Sequence, residues 1–207
     1  MEEQYYEALL NIKTNDQKGF SQSLHYHRYE ATPYSGLEQL RKRYEFKRSD
    51  RVVDFGCGKA RTIFYLHHFC HTSGIGIEMD EKLYKAAMNN KASYVKKNSQ
   101  AQHELELTCC LAEDYQIQTE DSIFYFFNPF SVQVFMKVIN NILLSVENYK
   151  RKVDIILYYP STDYIFYLEN QTAFELVDEI KLMPLYEKNK NERFLIYRLR
   201  MEECSCK

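Results

Sequence analysis

The chain has 207 residues, 45% hydrophobic and 27% charged, with 27 Lys and Arg against 29 Asp and Glu for a formal net charge of −2. That length buries a sizeable core in one domain without disulfides, and the near-neutral balance excludes a strongly basic nucleic-acid coat and an acidic disordered chain. Six Gly and four Pro exclude collagen-like and low-complexity chains, no apolar run is long enough to cross a membrane, and the six Cys form no C-x-x-C, which reads as reduced thiols in a cytoplasmic protein.

Residues 2–12 are spaced as an amphipathic helix, with Leu9 and Ile12 on its apolar stripe. Residues 13–28 are polar and loop-like, so residues 1–28 read as a helix and loop preceding a domain over 29–207. Thr32-Pro33 predicts a helix start, Thr32 capping and Pro33 at the first helical position, followed by Leu37, Leu40 and Tyr44. From residue 51 the period alternates. Strands are expected at 51–55, 73–77, 105–111, 122–127 and 153–159, and helices at 59–69, 81–95 and 131–146. Pro160 stops the fifth strand. Residues 165–180 look largely helical, 181–186 is a weaker strand candidate, and 194–199 is a late strand. Strands alternating with helices predict an α/β fold, a mostly parallel sheet covered on both faces.

Ligands of such sheets bind beyond the carboxyl ends of the strands. Those ends carry Asp54-Phe55-Gly56-Cys57-Gly58, Glu78, Ala112-Glu113-Asp114, Asn128-Pro129-Phe130 and Tyr159-Pro160. Gly56 and Gly58 lack a Cβ and let the backbone approach a ligand closely. Glu78 follows at about the twenty-residue offset from which a carboxylate reaches ribose hydroxyls. A dinucleotide fingerprint needs a small residue at position 61, where this chain has Arg61, and a P-loop is absent. The site therefore reads as one for a ribonucleoside without a pyrophosphate.

These segments resemble the class I S-adenosylmethionine-dependent methyltransferases. Val52–Ala60 is similar to the first motif of that family and Gly76-Ile77-Glu78-Met79-Asp80 to the second. The segment Leu111–Asp114 is similar to its adenine-side segment, and Asn128-Pro129-Phe130 resembles the fourth-strand motif of its amine-directed members. The resemblance implies a Rossmann-like methyltransferase fold, a seven-stranded sheet with its last strand antiparallel, and S-adenosyl-L-methionine as cofactor. It further implies that Gly56, Cys57 and Gly58 lie at the methionine part, with Asp54 holding the α-amino group. Glu78 would accept from both ribose hydroxyls, Met79 would pack on the adenine, and Ala112 with Glu113 or Asp114 would meet the adenine edge. The segment 29–34 would fold over the methionine end, placing Tyr29, Thr32 and Tyr34 there. Asn128 and Pro129 would accept from an amine, and Phe130 would stack on a planar acceptor. One Pro stands where the amine motif has two, which argues against sequence-specific duplex DNA. The methyl acceptor is left open among a protein side chain, an RNA nucleotide and a small molecule. The rival reading is a catalytically silent S-adenosylmethionine-binding partner subunit.

Other clusters have blander readings. His67, His68, Cys70 and His71 crowd one helix end, where imidazoles meet the helix dipole, and no metal site is expected from them. His25 and His27 lie in a polar segment, Cys204 and Cys206 in the tail. Residues 41–51 carry Arg41, Lys42, Arg43, Lys47, Arg48 and Arg51, a solvated helix face rather than a nucleic-acid footprint. Tyr158, Tyr159, Tyr164 and Tyr167 fall near the expected site rim.

Overall fold

A computed structural model describes residues 2–15 and 30–200. Tyr29, His25, His27, Cys204 and Cys206 lie outside the described residues. Helices α1 (Glu2–Leu10) and α2 (Tyr34–Arg43) come first, then β1 (Arg51–Phe55), α3 (Arg61–Cys70), β2 (Ser73–Glu78), α4 (Glu81–Val95), the short α5 (Ala101–Glu104) and β3 (Leu105–Cys109). A 3₁₀ turn at Ala112–Asp114 leads to β4 (Asp121–Phe126), α6 (Val132–Asn148), β5 (Asp154–Tyr158), α7 (Thr162–Gln171), β6 (Phe174–Lys181), the short α8 (Leu185–Lys188) and β7 (Arg193–Leu199). Among the described residues no helix is long and apolar enough to cross a membrane.

The strands form one seven-stranded sheet in the order β3-β2-β1-β4-β5-β7-β6, with β7 antiparallel to both its neighbours and the remaining pairs parallel. Period-2 alternation sorts the side chains onto two faces. Val53, Phe55, Phe124, Phe126, Ile155 and Leu157 pack under α6 and α7. Val52, Tyr125, Ile156 and Tyr158 pack under α1, α2 and α3. Helix α6 contributes Val134, Phe135, Val138, Ile139, Ile142 and Val146 to the first core, a stripe at the spacing expected of a helix against a sheet. Helix α1 is fastened into the second core, where Leu10 and Ile12 are buried beside Leu37 and Ile63.

Three local expectations are corrected. Thr32 does not cap α2. The helix starts at Tyr34, whose N–H donates to Glu3 Oε1 of α1 at 3.0 Å, while the Thr32 hydroxyl bonds the Tyr125 hydroxyl at 2.7 Å. Residues 165–180 are not one helix. Helix α7 stops at Gln171, where the Thr172 hydroxyl takes the Leu168 carbonyl, and Phe174–Lys181 pairs with β7 as the edge strand β6. A register shift between Leu176 and Asp178 puts two apolar residues side by side, so the period-2 signal is lost and a helical one imitated. The weak strand candidate at 181–186 is instead the last residue of β6, a turn and the start of α8.

Candidate active site

The strand β1 ends in a turn that the sequence makes unusual. Gly56 has φ 75° and Gly58 φ 54°, the left-handed region that glycine enters without strain. The Gly56 and Cys57 N–H groups donate to the Ile77 carbonyl at 2.9 and 3.0 Å, which binds the turn to the end of β2. A Cβ on Gly56 would stand 2.5 Å from Pro129 Cβ, so the Asn-Pro-Phe turn after β4 lies directly on the glycine turn after β1. The two motifs read separately in the sequence thus meet in van der Waals contact.

Glu78, buried at the end of β2, completes the turn. Its Oε2 accepts the Gly58 N–H at 2.9 Å and its Oε1 accepts the Asp80 N–H at 2.8 Å. Burial raises its pKa against the lowering by these two bonds. A carboxylate offers about four lone pairs, so Glu78 keeps acceptor capacity for a further donor. Asp80 in turn caps α4, accepting from the Lys82 and Leu83 N–H groups.

Asp54 stands on the α3 side of β1, opposite Tyr125 in register, and is 4% exposed. Burial first and the Glu78 charge second push its carboxyl up to about 8, while a hydrogen bond from Thr62 acts the other way. It faces a narrow cleft lined by Glu30, Thr32, Gly56, Tyr125 and Phe127. In this conformation Glu30–Thr32 lies across the cleft, leaving about 20 Å³, room for one water. The Thr32–Tyr125 bond holds that stretch down. Replacing Tyr125 with Phe is expected to lower stability by about 1–2 kcal/mol through the lost buried bond. Urea unfolding checks this as a shifted midpoint at constant slope.

Arg61, the first residue of α3, explains its own size. It is 3% exposed and gathers the N-terminal segment: Nη1 donates to Glu3 Oε2 at 2.7 Å and to the Thr32 carbonyl at 3.0 Å, and Nε donates to Thr14 Oγ1 at 2.7 Å. Its guanidinium stacks 4.2 Å from the Tyr34 ring centroid. Tyr34, expected near the methionine end, is therefore a fully buried core residue beneath Arg61.

The remaining candidates divide between cleft and core. Cys57 is buried with Sγ against Gly76, where a Cβ would stand 2.6 Å away, so only its backbone faces the turn. Part-exposed Met79 and exposed Leu111 are apolar side chains at neighbouring strand ends, and Ala112 is buried. Glu113 is turned toward Lys137 of α6 at 3.5 Å, whereas Asp114 is exposed. Asn128 holds φ 40° at the end of the β4 segment. Phe130 is corrected: its ring is 1% exposed, packed on Phe126 and Tyr164, and its carbonyl accepts the Tyr164 hydroxyl, so it is not placed to stack on an acceptor. Tyr164 and Tyr167 are likewise core residues. Besides Tyr125, the aromatic side chain lining the cleft is that of Phe127, one residue before the turn. Its signal was its place as the last residue of the expected strand.

The other clusters settle elsewhere. His67 uses both ring nitrogens, bonding the Tyr94 hydroxyl at 2.7 Å and Glu104 at 2.8 Å. The basic stretch lies at the amino end of β1, opposite the cleft, and half of it is ion-paired: Lys42 with Glu38, Arg43 with Asp178, Arg51 with Glu106 and Asp121.

No family model matches the sequence, and no curated protein matches it either. Solved structures do. An RNA methyltransferase from Salinibacter ruber in complex with S-adenosyl-L-homocysteine aligns with TM-score 0.59 at 15% identity, covering 85% of this chain and 97% of that one. An S-adenosylmethionine-dependent methyltransferase from Thiobacillus denitrificans, also in complex with S-adenosyl-L-homocysteine, aligns at 0.56 and 11% identity, covering 82% and 91%. Geranyl diphosphate C-methyltransferase from Streptomyces coelicolor aligns at 0.53 and 8% identity, covering 80% and 77%. The fold is therefore the Rossmann-like fold of the class I methyltransferases, as the sequence motifs implied.

Proposed function

We propose that the protein is an S-adenosylmethionine-dependent methyltransferase. The observation that carries this reading is the clustering of two buried carboxylates, Asp54 and Glu78, around a left-handed glycine turn, with the Asn128-Pro129 turn resting on that same backbone. Among the described residues neither carboxylate is ion-paired with a Lys or Arg, which suits an adenosine bearing an ammonium group. Asp54 would hold the α-amino group, and the spare lone pairs of Glu78 would take the ribose hydroxyls. Met79 and Leu111 offer apolar contact to a flat ring, and Asp114 is open to its polar edge. When bound, S-adenosylmethionine supplies an electrophilic methyl group on a sulfonium sulfur.

The chain's own contribution is then positioning. Holding a nucleophile in line can supply roughly 7–11 kcal/mol in favourable cases. The Asn128 amide oxygen and the Pro129 carbonyl are the acceptors that would orient an amine and offset positive charge developing on its nitrogen. The stretch Glu30–Thr32 excludes water from the cleft once closed. These roles make the acceptor nitrogen, rather than carbon or oxygen, the expected site of transfer.

The reading is tested by calorimetry with S-adenosylhomocysteine. One-to-one binding is expected. Glu78→Gln places an amide donor against one of the two N–H groups, and the lost charged hydrogen bonding is expected to weaken binding about 10–100-fold with the fold retained. Wild-type protein that ignores millimolar ligand, or a variant that binds it equally well, would overturn the assignment.

A further inference from the structure

The acceptor end of the cleft has a chemical character of its own. Strands β4 and β5 are parallel neighbours, and both are followed by a residue with positive φ: Asn128 at 40° and Tyr159 at 50°. A bulky side chain is seldom found there, and the strain costs about 1–3 kcal/mol. The conformation brings Tyr159 beside Phe127, with ring centroids 6.3 Å apart, and both are part-exposed. Phe127 rests on Tyr158 at 4.5 Å, and Asn189 Nδ2 fixes Tyr159 by donating to its hydroxyl at 2.7 Å.

Two carboxylates act on Tyr158, the ring on which Phe127 rests. The Tyr158 hydroxyl donates to Glu192 Oε2 at 2.8 Å, and Glu30 acts on the same phenol, both charges raising its pKa after burial. Asp54 lies deeper in the cleft. Among the described residues lining it, Arg61 and no other carries a cationic side chain, and its guanidinium is occupied by Glu3, Thr14 and the Thr32 carbonyl. Lys181 and Lys190 lie over the Tyr186 ring at 5.1 and 4.4 Å. Aromatic faces attract cations through the ring quadrupole, and a mouth of like-signed carboxylates adds to that attraction. A nucleic-acid phosphate would instead meet the carboxylates of Glu30 and Asp54 in that lining.

We propose that the acceptor is an amine that arrives as an ammonium, recognised by the rings of Phe127 and Tyr159 and the carboxylates of Glu30 and Glu192, and that gives up one N–H proton to water so that the freed lone pair bonds the methyl carbon as the carbon–sulfur bond breaks. This rests on the methyl-donor reading only for the place of the acceptor beside the donor. The test compares two probes with the same apolar stem and opposite charge, hexylamine and hexanoate, titrated calorimetrically into the protein with and without saturating S-adenosylhomocysteine. Hexylamine is expected to bind at least about ten-fold tighter than hexanoate. Glu192→Gln should lower the hexylamine affinity by roughly three- to ten-fold, and Tyr159→Leu, which keeps bulk and removes the π face, by about three-fold, with S-adenosylhomocysteine affinity unchanged in both. Equal affinity for the two probes, preference for hexanoate, or indifference to both variants in a protein that binds S-adenosylhomocysteine overturns the amine proposal and leaves the donor reading standing. Preference for hexylamine in a protein that does not bind S-adenosylhomocysteine does the reverse.

Discussion

Replacing Asp54 with Asn is expected to stabilise the ligand-free protein at about pH 9 by on the order of 4–6 kcal/mol while changing it little near pH 4. The carboxyl sits at about 8 in the folded protein, against 3.8 unperturbed, because burial and then Glu78 disfavour its charge. Between those values the folded chain holds a proton that the unfolded chain has released. The stabilisation is fully present below the unfolded value and is lost at about 1.4 kcal/mol per unit as pH rises through the folded one. Asn cannot titrate, so its contribution is flat. Glu78 is shifted in the same direction, and because its charge acts on Asp54 the difference between the two proteins reports Asp54 together with that coupling. Urea unfolding from about pH 4 to about pH 9 measures it; parallel curves for the two proteins would remove Asp54 from the linkage. The same shift has a binding side. An ammonium ligand needs the ionised carboxylate, so near neutrality binding should release a proton, seen as a heat that varies with the ionisation enthalpy of the buffer.

Arg61→Met is the second large effect, an expected loss of about 3–5 kcal/mol. The side chain is 3% exposed and holds three stretches at once, α1 through Glu3, the residues after it through Thr14, and Thr32–Tyr34. Its removal strips Glu3 and Thr14 of a partner, and Glu7, 3.5 Å from Nη2, of a neighbouring charge. Glu3 also caps α2 through the Tyr34 N–H, so detaching α1 uncaps a second helix. The measurements are the urea midpoint and limited proteolysis, with cleavage appearing first in α1. A variant whose stability falls by less than about 1 kcal/mol would show that the apolar packing of Leu10 and Ile12 alone retains the helix.

The glycine turn, Glu78 and the succession of parallel strands were legible in the sequence because each is written in a short stretch: a missing Cβ, a carboxylate at a strand end, an apolar run between turns. Arg61 was legible only as a departure from a dinucleotide pattern. Its partners Glu3, Thr14 and Thr32 are 29 to 58 positions away in the chain, and no local period announces a buried guanidinium. Strand β6 was misread for a related reason. The residue at its register shift disturbs alternation, and pairing with β7, not propensity, decides its state. Phe130 shows the limit of motif transfer. The sequence places an aromatic after Asn-Pro, but whether its ring turns outward depends on Tyr164, which draws the Phe130 carbonyl inward. The exposed face passed to Phe127.

The seating of Pro129 on Gly56 makes two positions 73 residues apart a single inherited unit. A methyl group acquired at 56 has nowhere to go while the proline ring is present, and a smaller residue at 129 opens space that only a larger neighbour fills. Their substitution energies should therefore fail to add, and drift at either position is channelled through the other. The floor of one motif and the roof of the next can then change only in step, which ties the chemistry of the acceptor to the shape of the donor cradle over evolutionary time.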